Sequence, residues 1–266
     1  MENYQNYLDV AVEAALTAGR YQRYRFASQV DVAMKGDKDL VTEVDRDSER
    51  LIVEHLRSHF PDHLILAEEG EYPRTGSSFR WIIDPVDGTT NYAHGFPWFC
   101  VSIALESAGE LLTGVIYNPM HDELFTATKD GGAYLNGSRL HVSTRSPLRD
   151  TLLGTGFPYD CATDPANNFN SFIAFQKAAR GIRRAGAAAL DLAYVAAGRL
   201  DGFWELKLKP WDVAAGVLMI REAGGTVTTF DGSAYDISNH RIVASNGLIH
   251  GEMVSMLASA AQGGAA

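Results

Sequence analysis

Trp81-Ile82-Ile83-Asp84-Pro85-Val86-Asp87-Gly88-Thr89-Thr90-Asn91 is the stretch from which the rest of the chain becomes readable. An apolar strand delivers Asp84 to its end, and Pro85 fixes φ and turns the chain so that Asp87 returns toward the same point. The Val86 carbonyl is free to face that point, and Gly88 removes a Cβ where the backbone must approach something closely. The amides of Gly88, Thr89 and Thr90 then open a short helical turn that suits a phosphate oxygen. The plainer alternative is a turn begun by Asp-Pro, with Asp87 or Thr89 capping a helix. Asp84 or Thr89 alone allows that reading. Two carboxylates, a glycine and two hydroxyls at one strand end point to ligand chemistry.

Upstream, apolar residues recur at helical spacing over residues 4–24 (Leu8, Val12, Ala15, Leu16), with Arg20, Arg23 and Arg25 gathered at the end, where they suit the helix dipole. A polar loop around Lys35 to Lys38 follows. A second helix is expected over residues 42–60, with Leu51, Ile52, Leu56 and Phe60 inward and Pro61 stopping it. Short apolar runs at 64–66 and 81–83 each end at acidic residues. Downstream, strands are expected at 99–106, 111–117 and 123–128, with turns at Ala108-Gly109, Asp130-Gly131-Gly132 and Asn136-Gly137, so this part reads as an antiparallel meander set against the two helices. From about residue 148 strands and helices alternate: strands 152–155, 202–206, 226–229 and 242–245; helices 165–180, 187–197, 212–223 and 248–258. Two units are expected, 1–147 and 148–266, packed together without a linker.

The chain has 266 residues, 46% hydrophobic and 21% charged, which is ordinary globular composition and long enough to bury a large core. A net charge of −10 argues against a nucleic-acid groove, which needs excess Lys and Arg, yet it is compatible with binding anionic phosphate through metal ions that invert the local field. Cys100 and Cys161 lack metal-ligand spacing, and Cys100 lies in the apolar run Phe99-Cys100-Val101, so a reduced thiol and a cytoplasmic setting are expected. The N-terminus lacks the pattern of a secretory signal, and no run approaches the ~18 apolar residues of a membrane helix.

A hard cation explains the use of such an acidic turn. Mg²⁺ takes oxygen ligands, keeps several waters and is held by a few carboxylates plus a substrate phosphate. Two further acidic sites would complete a cage: Glu68-Glu69 at the end of the 64–66 strand, and Asp212 in Trp211-Asp212-Val213-Ala214-Ala215-Gly216. Read singly, the first is a solvated acidic loop and the second a plain helix cap. Spacing leaves open whether the three stretches converge. His94 and His121 lack paired metal spacing, and no cysteine-phosphatase, Gly-x-Ser-x-Gly or P-loop signature is present.

Trp81 to Asn91, the second signature Pro210-Trp211-Asp212-Val213-Ala214-Ala215-Gly216, and Asp39-Leu40-Val41-Thr42-Glu43-Val44-Asp45 together resemble the inositol monophosphatase family of lithium-sensitive, metal-dependent sugar and polyol phosphatases. The resemblance runs from about residue 5 to 255. It departs at Ala67-Glu68-Glu69, where Gly-Glu-Glu is common, and in a shorter loop after Lys35. It implies an α+β layered αβαβα sandwich of two closely packed subdomains, a homodimer, and two to three Mg²⁺ ions per site. Glu68, Asp84 and the Val86 carbonyl would hold the first ion, and Asp84, Asp87 and Asp212 the second. A third would lie near Glu68. Thr89, hydrogen-bonded to Asp45, would orient and deprotonate the attacking water, making Thr89, Asp45 and Glu68 the catalytic set. Gly88 and Thr89 would bind phosphate, Asp87, Ala188 (through its amide), Glu205 and Asp212 the substrate hydroxyls, and Lys35 would ride on a mobile loop.

The implied reaction is a single in-line displacement on a small phosphorylated polyol or sugar, myo-inositol monophosphate first. Fructose bisphosphate, histidinol phosphate and nucleoside phosphates are alternatives on the same cage. Without the family, Glu205 is only a charged strand end. From another class, bacterial relatives bind the transcription machinery, and the basic cluster Arg180–Arg184 offers a surface for a protein partner or a dimer contact. A member that kept the fold and lost activity is the remaining alternative, disfavoured by the full set of acidic ligands.

Overall fold

A computed structural model describes residues 4–26, 32–34 and 40–262. Helix α1 (Gln5–Arg25) buries an alanine-rich stripe of Val10, Ala11, Ala14, Ala15 and Ala18. Small side chains there let the helix lie close on the sheet beneath: a methyl built on Gly19 would meet the Tyr117 ring at 2.4 Å. Helix α2 (Glu43–His59) begins at Thr42 with a capping box, in which the Thr42 hydroxyl accepts from the Val44 amide and Asp45 accepts from the Thr42 amide. Before it, β1 (Val32–Met34) and β2 (Leu40–Thr42) pair antiparallel, two strands the sequence does not announce, while the expected polar loop around Lys35 to Lys38 lies outside the described residues. Three-residue strands are too short for a periodic signal.

The first sheet has seven strands, in order β3 (Leu64–Ala67), β4 (Phe79–Asp87), β5 (Cys100–Ser107), β6 (Glu110–Asn118), β7 (Glu123–Thr128), β8 (Gly132–Leu135) and β9 (Ser138–Arg139). Helix α3 (Thr89–Ala93) follows β4. The meander is antiparallel as expected, except that β3 runs parallel to β4. Ala108-Gly109 and Asn136-Gly137 carry positive φ at both turn positions, as tight hairpins demand. Side chains alternate across the pleat. Trp81, Ile83, Val101, Ile103 and Leu105 face α1 and α2, while Ile82, Cys100, Ala104 and Ile116 face the opposite way. Each large apolar side chain so enclosed contributes about 1.5–3 kcal/mol.

The second half supplies β10 (Leu152–Thr155), α4 (Phe169–Ala178), β11 (Gly181–Arg183), α5 (Ala188–Ala196), β12 (Gly202–Leu206), α6 (Pro210–Glu222), β13 (Thr226–Thr228), β14 (Arg241–Ser245) and α7 (His250–Gln262). The sheet order is β11-β10-β12-β14-β13; β10 is parallel to both neighbours, and the remaining pairs are antiparallel. Helix α4 is shorter than the expected 165–180. It cannot start before Asn168, whose φ of 75° is left-handed, and by Arg180 the backbone donates to Thr151 and joins the sheet as β11.

Five layers result. Helices α1 and α2 cover one face of the first sheet, α5 and α6 lie between the two sheets, and α4 and α7 cover the far face of the second. The central core joins Ile82, Ala104 and Ile116 to Leu190, Leu192, Val217 and Met219 and to Phe203, Ile242 and Ala244. Close approach of the middle helices depends on Gly216, whose added methyl would lie 2.5 Å from Leu192 Cβ. Because helices of the second half cover the first sheet, the architecture is an αβαβα sandwich with one continuous interior. Among the described residues no helix is long and apolar enough to cross a membrane.

Candidate active site

Strand alternation by itself would put Asp84 and Asp87 on opposite faces, since they are three residues apart. A bulge prevents this: Asp84 pairs with Ser102 and Asp87 with Cys100, so one extra residue is inserted on β4. Both carboxylates then face the central layer, as Cys100 does. Asp84 Oδ1 accepts from the Val86 amide at 3.0 Å, closing the Asp-Pro turn. Gly88 has φ 102° and starts α3. Its missing Cβ makes room for the chain itself, since the nearest atom would be the Trp98 carbonyl at 3.0 Å. Thr89 is buried, and its hydroxyl donates to Asp45 Oδ1 at 2.7 Å, with the Val86 carbonyl 3.1 Å away. Asp45 is fully buried, and its other oxygen accepts the Thr42 amide and hydroxyl. The capping box of α2 and the Thr89 contact therefore share one carboxylate.

Glu68 continues β3 past its named end, its amide donating to the Ile83 carbonyl at 3.2 Å, so the parallel pairing that was not foreseen is what carries Glu68 to Asp84. The turn is held by Glu49, 3% exposed, which accepts the Glu69 amide and the Tyr72 hydroxyl, each at 2.8 Å. Asp212 arrives from the first turn of α6, where Oδ2 accepts the Lys209 amide at 2.7 Å. Its cap role and its site role coexist, because it also hydrogen-bonds the Asp84 carboxyl. Glu68 hydrogen-bonds Asp84 as well. Glu68, Asp84, Asp87 and Asp212, from three separate stretches, thus converge.

Burial pushes Asp84 well above the usual carboxylate range, and Glu68, Asp87 and Asp212 push it further. Asp87 rises to about 7 through burial and Glu68, against the amides of Ala189 and Ala188, which stabilise its charge. Asp212 rises to about 7 through burial and Asp87. A cluster of hard oxygen donors whose forces on Asp84 share one sign lacks positive charge, and that is the donor chemistry a divalent cation fits. Among the described residues no three His, Cys, Asp or Glu side chains form a finished ligand cage. Glu68 and Asp212 each meet Asp84, and Asp87 faces the same layer.

On the cleft's other side, Asp87 accepts the Ala188 amide at 3.2 Å and the Ala189 amide at 2.7 Å, with the Cys100 thiol at 3.7 Å. The Ala188 amide, expected at a substrate hydroxyl, points at Asp87 and holds it. Glu205 is half-buried rather than a surface strand end, and burial, then Asp191 and Asp212, drive its carboxyl well upward. Asp191, Glu49 and Gln22 escaped the sequence reading. Asp191 is 2% exposed in α5 near Asp87 and Arg184, and Gln22 donates to the Pro85 carbonyl at 2.7 Å from beneath the turn. A charged residue in the otherwise apolar Ala188–Ala196 run was the available signal for Asp191. Lys35 lies outside the described residues. His94 and His121 are exposed, and Arg180 bonds Asp150 at 2.8 Å beside the edge strand β11.

The sequence model of the inositol monophosphatase family matches residues 3–263. A Synechocystis protein named inositol-1-monophosphatase is 45% identical over 260 residues, 97% of this chain and 91% of that protein. A Pseudomonas aeruginosa protein named Nus factor SuhB is 48% identical over 249 residues, covering 91% and 92%. The solved inositol monophosphatase of Anabaena (Nostoc) superposes with a TM-score of 0.89 at 44% identity, covering 97% of each chain.

Proposed function

The chain belongs to the inositol monophosphatase family, a family of phosphoric monoester hydrolases, and on that premise we propose that it hydrolyses the phosphate monoester of a small polyol with Mg²⁺, myo-inositol monophosphate being the first substrate to test. The observation that supports this reading most is the burial of Asp84 under Glu68, Asp87 and Asp212. Glu68, Asp84 and the Val86 carbonyl would hold one ion, Asp84, Asp87 and Asp212 a second, with a third near Glu68. When bound, Mg²⁺ polarises the phosphoryl group, eases ionisation of water and offsets charge on the departing oxygen.

The chain's own residues supply orientation and a proton path. Thr89 donates to Asp45, so as its Oγ accepts a proton from a water attacking phosphorus, its own proton would pass to Asp45 Oδ1. Asp45, fixed through Thr42, holds that polarity. The amides at the start of α3, Gly88 and Thr89, suit a phosphate oxygen. Asp87, held by the Ala188 and Ala189 amides, would accept from ring hydroxyls together with Asp212 and Glu205. No side chain need be phosphorylated.

A phosphate-release panel of inositol monophosphate, fructose bisphosphate, histidinol phosphate and nucleoside monophosphates, run in Mg²⁺ and again with a chelator, tests the assignment. Failure to release phosphate from every member, or release unaffected by chelation, sinks it. The name of the Pseudomonas relative favours a second reading, a protein-interaction role beside hydrolysis. Binding of the Asp84→Asn protein to purified transcription components separates that role from catalysis. The chain would form a homodimer, checked by sedimentation, and divide at residue 147, checked by limited proteolysis.

A further inference from the structure

Glu205 stands opposite a residue with no side chain. Strands β10 and β12 are parallel with Thr155 level with Trp204, which sets Gly156 beside Glu205. A methyl built on Gly156 would lie 2.1 Å from Oε1, 2.3 Å from Cδ and 2.4 Å from Oε2, so the whole carboxylate occupies the space a side chain would fill. The backbone beneath is tightly tied. Asn168, 6% exposed and left-handed, donates to Thr155 Oγ1 at 2.9 Å and to the Gly156 carbonyl at 2.7 Å, and accepts from Trp204 Nε1 at 2.7 Å. Thr155 in turn donates to the Trp204 carbonyl at 2.7 Å, and the Trp204 ring packs on Phe175 with centroids 4.2 Å apart. Trp204 is fully buried and bound at both its indole and its carbonyl. The strand ends are therefore fixed, and only the Glu205 side-chain torsions remain to be set.

We propose that Gly156 and Asn168 are specificity-determining positioning residues. Asn168 locks the two strand ends, and the bare Gly156 provides the recess that turns the Glu205 carboxylate into the cleft toward a hydroxyl remote from the phosphate. The proposal rests on Glu205 being a substrate-hydroxyl acceptor. It selects a class of substrate, polyhydroxylated ring phosphates over simple esters, because a site built to accept a hydroxyl discriminates against molecules lacking one.

Gly156→Ala is the informative variant. The clashing atoms are the far end of a flexible, half-buried side chain, so Glu205 swings away at little cost to folding while its carboxyl group stays in the chain. Asn168→Gly keeps the left-handed backbone and deletes the hub; Glu205→Gln checks the premise. Each is assayed with myo-inositol monophosphate and with p-nitrophenyl phosphate, which has no ring hydroxyls, alongside thermal denaturation with and without Mg²⁺. For Gly156→Ala the ratio of kcat/KM between the two substrates falls about 10- to 100-fold, the cost of leaving a buried ring hydroxyl without its partner. The change lies mainly in KM for the inositol ester, and the Mg²⁺-dependent thermal shift is retained. Asn168→Gly moves the ratio the same way. An unchanged ratio in Gly156→Ala, when Glu205→Gln does lower it, overturns the recess. An unchanged ratio in Glu205→Gln overturns the premise instead. Equal losses on both substrates mean general damage and also overturn the proposal.

Discussion

Asp45→Asn separates the structural from the chemical use of one buried carboxylate. Oδ2 of Asp45 accepts the Thr42 amide at 2.9 Å and the Thr42 hydroxyl, and Oδ1 accepts the Thr89 hydroxyl at 2.7 Å. An asparagine there has only one workable orientation. Its oxygen must face Thr42, because turning the NH₂ that way would set two N–H donors against each other. The NH₂ then faces Thr89 and donates to Oγ1, reversing that hydrogen bond. The Thr89 proton turns to the Val86 carbonyl, 3.1 Å away, and the amide cannot take that proton as the Asp45 carboxylate can. The capping box survives, so the stability loss is that of charge-assisted bonds becoming neutral, about 1 kcal/mol. For a chain of this size that is about 2–4 °C in Tm. Proton acceptance from the attacking water is lost, and kcat falls about 10²- to 10⁴-fold. Thr89→Ser keeps the donor and stays within about tenfold of the parent. Thr89→Val leaves Asp45 Oδ1 buried without its partner, losing both activity and a further ~1–3 kcal/mol. Phosphate release at saturating Mg²⁺ and thermal denaturation check the series. Near-parental kcat in Asp45→Asn, with its fold intact, would refute the assignment of Thr89 as proton acceptor.

Mg²⁺ added to chelator-treated protein should raise Tm, and the rise should continue logarithmically with free Mg²⁺ after the site is full. Asp212→Asn, whose amide oxygen can still accept the Lys209 amide, should keep its fold and lose most of that rise, as read by calorimetry. Gly216→Ala forces a methyl to within 2.5 Å of Leu192 Cβ and should destabilise by about 1–3 kcal/mol, measured by urea unfolding. Burial holds His55, His63 and His250 below their usual 6.5. Since the unfolded chain binds those protons more readily, stability should be full above 6.5 and decline as pH falls through it. His250→Gln should flatten part of that decline in unfolding scans across this range; an unaltered slope removes His250 from the account.

Much of the core was legible because it is periodic. The alternating faces of β4 to β7, the hairpins at Ala108-Gly109 and Asn136-Gly137, and the capped start of α2 follow from local rules. The strands too short for a pattern, β1, β2 and β11, were not seen, and α4 was read too long because Asn168 as a left-handed stop has no unambiguous spelling. Asp84, Asp87 and Asp212 announced themselves by residue type beside turn chemistry. Asp191, Glu49 and Gln22 did not, since a single polar residue on a helix looks the same whether it meets water or the underside of a site.

What the amino-acid order determined alone was the set of oxygen donors, the turn that presents two of them, and the family resemblance. Their meeting belongs to tertiary structure. Asp84 and Asp87 share a face only through the bulge against β5, Glu68 reaches Asp84 only through parallel β3, and Asp212 arrives only because α6 lies between the sheets. Local spacing fixes directions along one strand or helix, whereas convergence depends on how distant segments pack, and packing is decided by the apolar surface they bury together.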